Sequence, residues 1–182
     1  MKFVKPMMLK HFLGRKTSYR RRHGLLGLHV GDKYVSLAMS DKESKTAVPL
    51  EFMDREVFSI DLIADSMQKH ISSFNLGGCI IGYRYIRSIE KSEGVSEQIF
   101  IDNLCKTVKL ESLKYAYWDG RIISKDVDIV LKHHAEYLVD QLGLPQETLE
   151  TILDKFAAVR TLQGYMDCAN MLVAIDNLAL GN

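Results

Sequence analysis

The 182 residues are 47% apolar and 26% charged, with a net charge of +1. That length and apolar content suit one domain of roughly 150 residues with a substantial core, and exclude a disordered chain or a polycation. No apolar run approaches the ~20 residues of a membrane span, and the three cysteines (Cys79, Cys105, Cys168) lack metal-ligand spacing, so reduced thiols inside the cell are expected.

Residues 1–24 contain no Asp or Glu but carry Lys2, Lys5, Lys10, Arg15, Lys16, Arg20, Arg21 and Arg22, interleaved with Phe3, Met7, Met8, Leu9 and Phe12. Three readings fit: a mitochondrial or chloroplast targeting segment, a basic arm that follows a phosphate backbone, or a solvated tail on a cytoplasmic protein. From Leu25 to Asp41 the pattern changes to a β-hairpin. Leu26, Leu28 and Val30 alternate with Gly27 and His29, Gly31-Asp32 is a turn pair, and Val35, Leu37 and Met39 continue the alternation. Gly27 and Gly31 flank His29 and leave space for another backbone or a phosphate beside it. By local pattern alone this is an edge hairpin with a half-buried histidine.

Thr46–Met53 reads as a third strand, with Pro49 marking an edge or a strand start. Ser59–Phe74 carries the stripe Ile60, Ile63, Met67, Ile71 and Phe74 of an amphipathic helix that Gly77-Gly78 ends. Cys79–Gly82 is a short apolar run, as in a strand buried on both faces. Tyr83, Arg84, Tyr85, Arg87 and Lys91 then mix cations with aromatics, a composition that can hold phosphates and stack bases. Ser96–Val108 is a second helix with Ile99, Phe100, Leu104 and Val108 inward, and Leu113–Trp118 a strand. Ser124 caps a helix to about Leu142 with Val127, Val130, Leu131 and Leu138 inward. His133-His134 point ~100° apart on that helix and read as surface residues. Pro145 opens a last long helix, and residues 168–182 form a tail without a distinct signal.

Three stretches share a pattern. Gly27-Leu28-His29-Val30-Gly31-Asp32-Lys33 with Ser40-Asp41 resembles the first motif of the YqgF/RuvX family of the ribonuclease H-like superfamily, Gly-x-Asp-x-Gly-x-Lys leading to Ser-Asp. Asp119-Gly120-Arg121 with Ser124 resembles its strand-tip motif Asp-Glu-Arg-Leu-Ser/Thr-Ser/Thr. Asp154, Ala157, Ala158, Leu162, Gln163 and Tyr165 match its helical motif Asp-x-x-Ala-Ala with Leu-Gln-x-Tyr. The resemblance implies an α/β ribonuclease H-like fold over residues 25–167: a five-stranded mixed sheet, made of the hairpin and third strand and then alternating helices and strands, with helices on both faces. Residues 1–24 would be an extension and 168–182 a tail.

For function, the resemblance implies a nuclease of rRNA precursors or branched DNA that uses Mg²⁺ or Mn²⁺ held by converging carboxylates. His29, Asp119 and Asp154 occupy the catalytic positions, Asp119 and Asp154 the metal-binding ones, and Lys33, Arg84, Arg87 and Arg121 are the expected substrate contacts. Two departures stand out. The first carboxylate is His29, a poor Mg²⁺ ligand whose ring gains a positive charge toward acid pH, and the strand-tip Glu is Gly120. The expectation is therefore a family member with weakened or lost metal-dependent hydrolysis, or a non-catalytic nucleic-acid-binding or assembly protein on the same fold.

Overall fold

The computed structural model describes residues 1–10, 24–41, 45–83, 93–119, 125–145 and 147–179. In chain order these form β1 (Lys2–Phe3), α1 (Pro6–Leu9), β2 (Gly24–Val30), β3 (Tyr34–Ser40), β4 (Ala47–Asp54), α2 (Ile60–Phe74), β5 (Leu76–Tyr83), α3 (Glu93–Lys106), β6 (Lys114–Asp119), α4 (Lys125–Gln141), α5 (Glu147–Lys155) and α6 (Ala157–Ala179). The strands make one sheet in the order β1-β6-β5-β2-β3-β4. β3 is antiparallel to both β2 and β4, while β2, β5, β6 and β1 run parallel. This is the mixed sheet expected, with helices on both faces. Among the described residues, no helix is long and apolar enough to cross a membrane.

The sheet has six strands rather than five. Lys2 and Phe3 pair with Lys114 and Tyr115 on the outer edge of β6, through the bonds Lys2 N to Leu113 O and Val4 N to Tyr115 O, both 2.8 Å. A two-residue strand held by its backbone leaves no periodic pattern to read. Behind it Leu9 is fully buried, and the Tyr165 hydroxyl donates to Pro6 O at 2.8 Å. The first ten residues therefore pack on the domain, while residues 11–23 lie outside the described part of the chain.

β2 is central, not an edge. Leu26, Leu28 and Val30 pack with Ile63 and Met67 of α2 and with Phe100, Ile101 and Leu104 of α3. Leu25 faces the other way, with Ala38, Ile80 and Ala116, against Ala158, Leu162, Tyr165 and Met166 of α6. α6 crosses β2 at Gly27, where a Cβ would stand 2.9 Å from both Ala158 O and Leu162 Cβ. That contact requires glycine, because backbone cannot yield as a side-chain tip can.

Several expected boundaries and faces move. α2 starts one residue later than read, with Ser59 as its cap accepting from Leu62 N, and it ends on Asn75 in the left-handed conformation (φ 55°), while Gly77 and Gly78 belong to β5. The expected cap Ser124 lies outside the described residues. The long last helix is two helices, broken at Phe156 just before the Ala pair that packs on the sheet. Pro49 lies inside edge strand β4 at a register shift, where a missing N–H is tolerated. Ile99, Val108, Val130 and Leu138 face solvent, and Ile101, Ala135 and Val139 are buried instead. In those helices apolar residues occur on more than one stripe, so periodicity alone does not select the buried one.

Candidate nucleic-acid site at the strand tips

Because β2, β5 and β6 are parallel, their C-terminal ends lie side by side at Val30, Tyr83 and Asp119. Paired residues share a face of the pleat. His29 pairs with Ser36 on β3, and Ser36 with Phe52 on β4, so the three form one row across the sheet on the side covered by α5 and α6. Gly82 continues the row on β5: a Cβ there would be 3.1 Å from His29 Nδ1 and 2.7 Å from Thr161 Oγ1. Gly31 borders the other ring nitrogen, its notional Cβ 3.9 Å from Nε2. The imidazole is thus bracketed by Gly31 and Gly82. Sequence reasoning paired Gly31 with Gly27, but Gly27 serves the α6 crossing. The glycine that makes room for the ring comes from the neighbouring strand.

Ser36 and Thr161, both buried, complete this wall. Ser36 Oγ accepts from Ala158 N at 3.2 Å, which ties the start of α6 to β3 and takes up one of the free N–H groups of a helix start. Asp154 is in the last turn of α5, four residues before Ala158. Asp119 ends β6. Tyr115 and Tyr117 point to the α2/α3 core and Ala116 and Trp118 to the α6 core, so the pleat places Asp119 on the side opposite His29.

Lys33 stands in the hairpin turn with its ammonium 5.3 Å from the Tyr34 ring centroid. A hydrogen bond and the charge of Tyr34, followed by Asp54 and Glu56, hold that ammonium above its ordinary range. Arg55 fixes the turn: Nη1 donates to Gly31 O at 2.6 Å and Asp32 O at 3.1 Å, and the guanidinium lies 4.8 Å over the Phe100 ring. Sequence reasoning missed Arg55, which carries no local signal because its partners are backbone carbonyls of a distant turn. Arg84, Arg87 and Arg121 lie outside the described residues.

The donor set does not fit a pair of Mg²⁺ or Mn²⁺ ions. Hard cations ask for converging oxygens, and position 29 offers an imidazole. Among the described residues, which include His29, Asp119 and Asp154, no three His, Cys, Asp or Glu side chains are placed to hold a metal.

A protein-family model described as "RuvX: Holliday junction resolvase" matches residues 23–168, from β2 into α6. The chain belongs to the RuvX family. It is 30% identical over 146 residues to a protein of Methylocella silvestris described as "Putative pre-16S rRNA nuclease", covering 80% of this chain and 83% of that one. A relative in Jannaschia sp. with the same description is 29% identical, covering 84% and 89% of the two chains. Among solved structures, RuvC of T. thermophilus in complex with a Holliday junction substrate aligns over 79% of this chain and 93% of that one, at 10% identity and a TM-score of 0.47. In this RuvX chain the helical motif is largely accounted for by packing. Ala158 and Leu162 seat α6 on Gly27, and Gln163 accepts from Ala47 N at 2.7 Å while donating to Lys45 O at 2.9 Å.

Proposed function

We propose that this RuvX-family protein binds nucleic acid, an rRNA precursor or branched DNA, across the strand-tip end of its sheet, with metal-dependent phosphodiester hydrolysis weakened or lost. The observation that carries this reading is the His29 ring, held between Gly31 and Gly82 against Thr161 where the family resemblance calls for a carboxylate. An imidazole N–H donates a hydrogen bond to a phosphate oxygen, but the ring gives a hard cation little to bind. Asp119 and Asp154 are the carboxylates that the motif positions retain, Asp119 on the side of the pleat opposite His29, and Lys33 brings positive charge to the turn after β2. Arg84, Arg87 and Arg121 are the further substrate contacts that the family resemblance implies. The relatives described as pre-16S rRNA nucleases and the family's Holliday-junction description support the two substrate classes.

The test incubates the full chain with four-way junction DNA and with pre-16S rRNA, in Mg²⁺ and in Mn²⁺. The expected result is binding that weakens steeply with salt, little cleavage by the wild type, and a rise in cleavage for His29→Asp. Efficient wild-type cleavage that disappears in Asp119→Asn or Asp154→Asn would reverse the conclusion on catalysis.

A further inference from the structure

Where the row His29–Ser36–Phe52 reaches the edge strand it ends on an aromatic ring that the core leaves uncovered. Phe52 is 51% exposed. The Tyr34 ring meets it edge-on, with centroids 6.4 Å apart and planes at 88°. Two ammonium groups border the pair: Lys155 Nζ is 4.2 Å from the Phe52 centroid and 5.8 Å from that of Tyr34, and Lys33 Nζ is 5.3 Å from Tyr34. Asp54 and Glu56 also stand near Lys33.

We infer that Tyr34, Phe52, Lys33 and Lys155 form a stacking subsite for one unpaired nucleobase and its phosphate, on the strand that also passes His29. This rests on the nucleic-acid reading above and deepens it. Three features carry the inference. Phe52, half exposed, offers an aromatic surface that accepts any base, because stacking needs no hydrogen-bond code. Both cations border the rings, where a backbone phosphate accompanying a stacked base would find them. Phe52 is two strands from His29, about 10 Å, so a nucleotide at one reaches the other along the same strand. A plain packing role asks less: Leu at position 52 would cover the Lys155 stem and the Tyr34 edge equally well. A base within a duplex is already stacked, so the subsite selects single-stranded or branched segments.

The experiment uses the full chain and a single-stranded DNA oligonucleotide with one 2-aminopurine, a fully duplex version serving as control. Binding is read by anisotropy and stacking by quenching of 2-aminopurine fluorescence. Wild type is expected to quench the single strand and not the duplex. Phe52→Leu, which keeps the apolar cover and removes the π face, is expected to lose the quenching and about tenfold in affinity. Lys155→Met is expected to keep the quenching while its log–log salt slope becomes shallower by about 0.7. Unchanged quenching and affinity in Phe52→Leu, with wild type binding, would overturn the subsite and leave the functional reading standing. A wild-type chain that binds neither oligonucleotide nor junction would overturn both.

Discussion

The two faces of the sheet are filled by opposite means. Toward α2 and α3 the strands present Leu26, Leu28, Val35, Leu37, Met53 and Ile81, large side chains that meet helices across an apolar layer. Toward α6 they present Leu25 and Ile80 together with the small residues Gly27, Ala38, Ala116, Ser36 and Ser40, and the helix brings its own small residues, Ala158 and Thr161, close against these. Ser36 and Ser40 are buried but engaged, accepting from Ala158 N and Leu25 N at 3.2 and 2.9 Å. One face is thick, dry and generic. On the other, small and hydroxyl-bearing residues let α6 come close, and His29 packs there beside Gly82 and Thr161 near the strand tips. A fold that must hold a polar site next to its core can do so by moving one helix in, not by opening a cavity.

If that contrast is right, the first face suffers from losing carbon and the second from gaining it. Leu28→Ala should cost about 3 kcal/mol, from lost burial and the cavity left behind, read from urea unfolding. Gly27→Ala, which removes nothing, should still cost about 2 kcal/mol because its Cβ meets Ala158 O and Leu162 Cβ at 2.9 Å. A neutral Gly27→Ala would show that α6 can float and would end the comparison. Gly82→Ala should cost about 1.5 kcal/mol, since its Cβ meets Thr161 Oγ1 at 2.7 Å. The double variant Gly82→Ala with Thr161→Ala should recover most of that in a double-mutant cycle. Ser36→Ala should cost about 1 kcal/mol, by leaving Ala158 N without its acceptor.

The smallest effect belongs to the α2 side of edge strand β4. Burial would raise the Glu51 carboxyl, but hydrogen bonds from Ser66 and His70 and the positive charges of His70 and Lys69 hold it below its ordinary value. A carboxyl depressed in the folded state stabilises above its unfolded-state pKa and loses that contribution as pH falls through the folded one. Wild type should therefore exceed Glu51→Gln slightly in thermal stability at pH 7, and the gap should close in acid. A gap independent of pH would place the effect in packing rather than charge.

The hairpin, α2, β5 and β6 were legible because alternation and the 3.6-residue stripe write themselves into short windows. The faces of α3 and α4 were not legible, because Ile99, Val108, Val130 and Leu138 are as apolar as the residues that are buried. β1 was invisible, as two residues joined to a distant strand by backbone bonds have no side-chain code. At the site, position 29 could be singled out from its motif, and Lys33 with it. The partners of His29 could not: Gly82 and Thr161 lie 53 and 132 residues further along the chain, and only the parallel pairing of β2 with β5 and the crossing of α6 bring them to the ring.

Sequence by itself determined the family, the order of elements from β2 to α4, and the exchange of a carboxylate for an imidazole at position 29, because each is a property of residue type and local spacing. Tertiary structure alone decided that β2 is central, that Asp119 and His29 take opposite sides of the pleat, and that the exposed Phe52 shares a row with His29. Those depend on register and on how closely a helix approaches, quantities set by contacts between residues far apart in the chain.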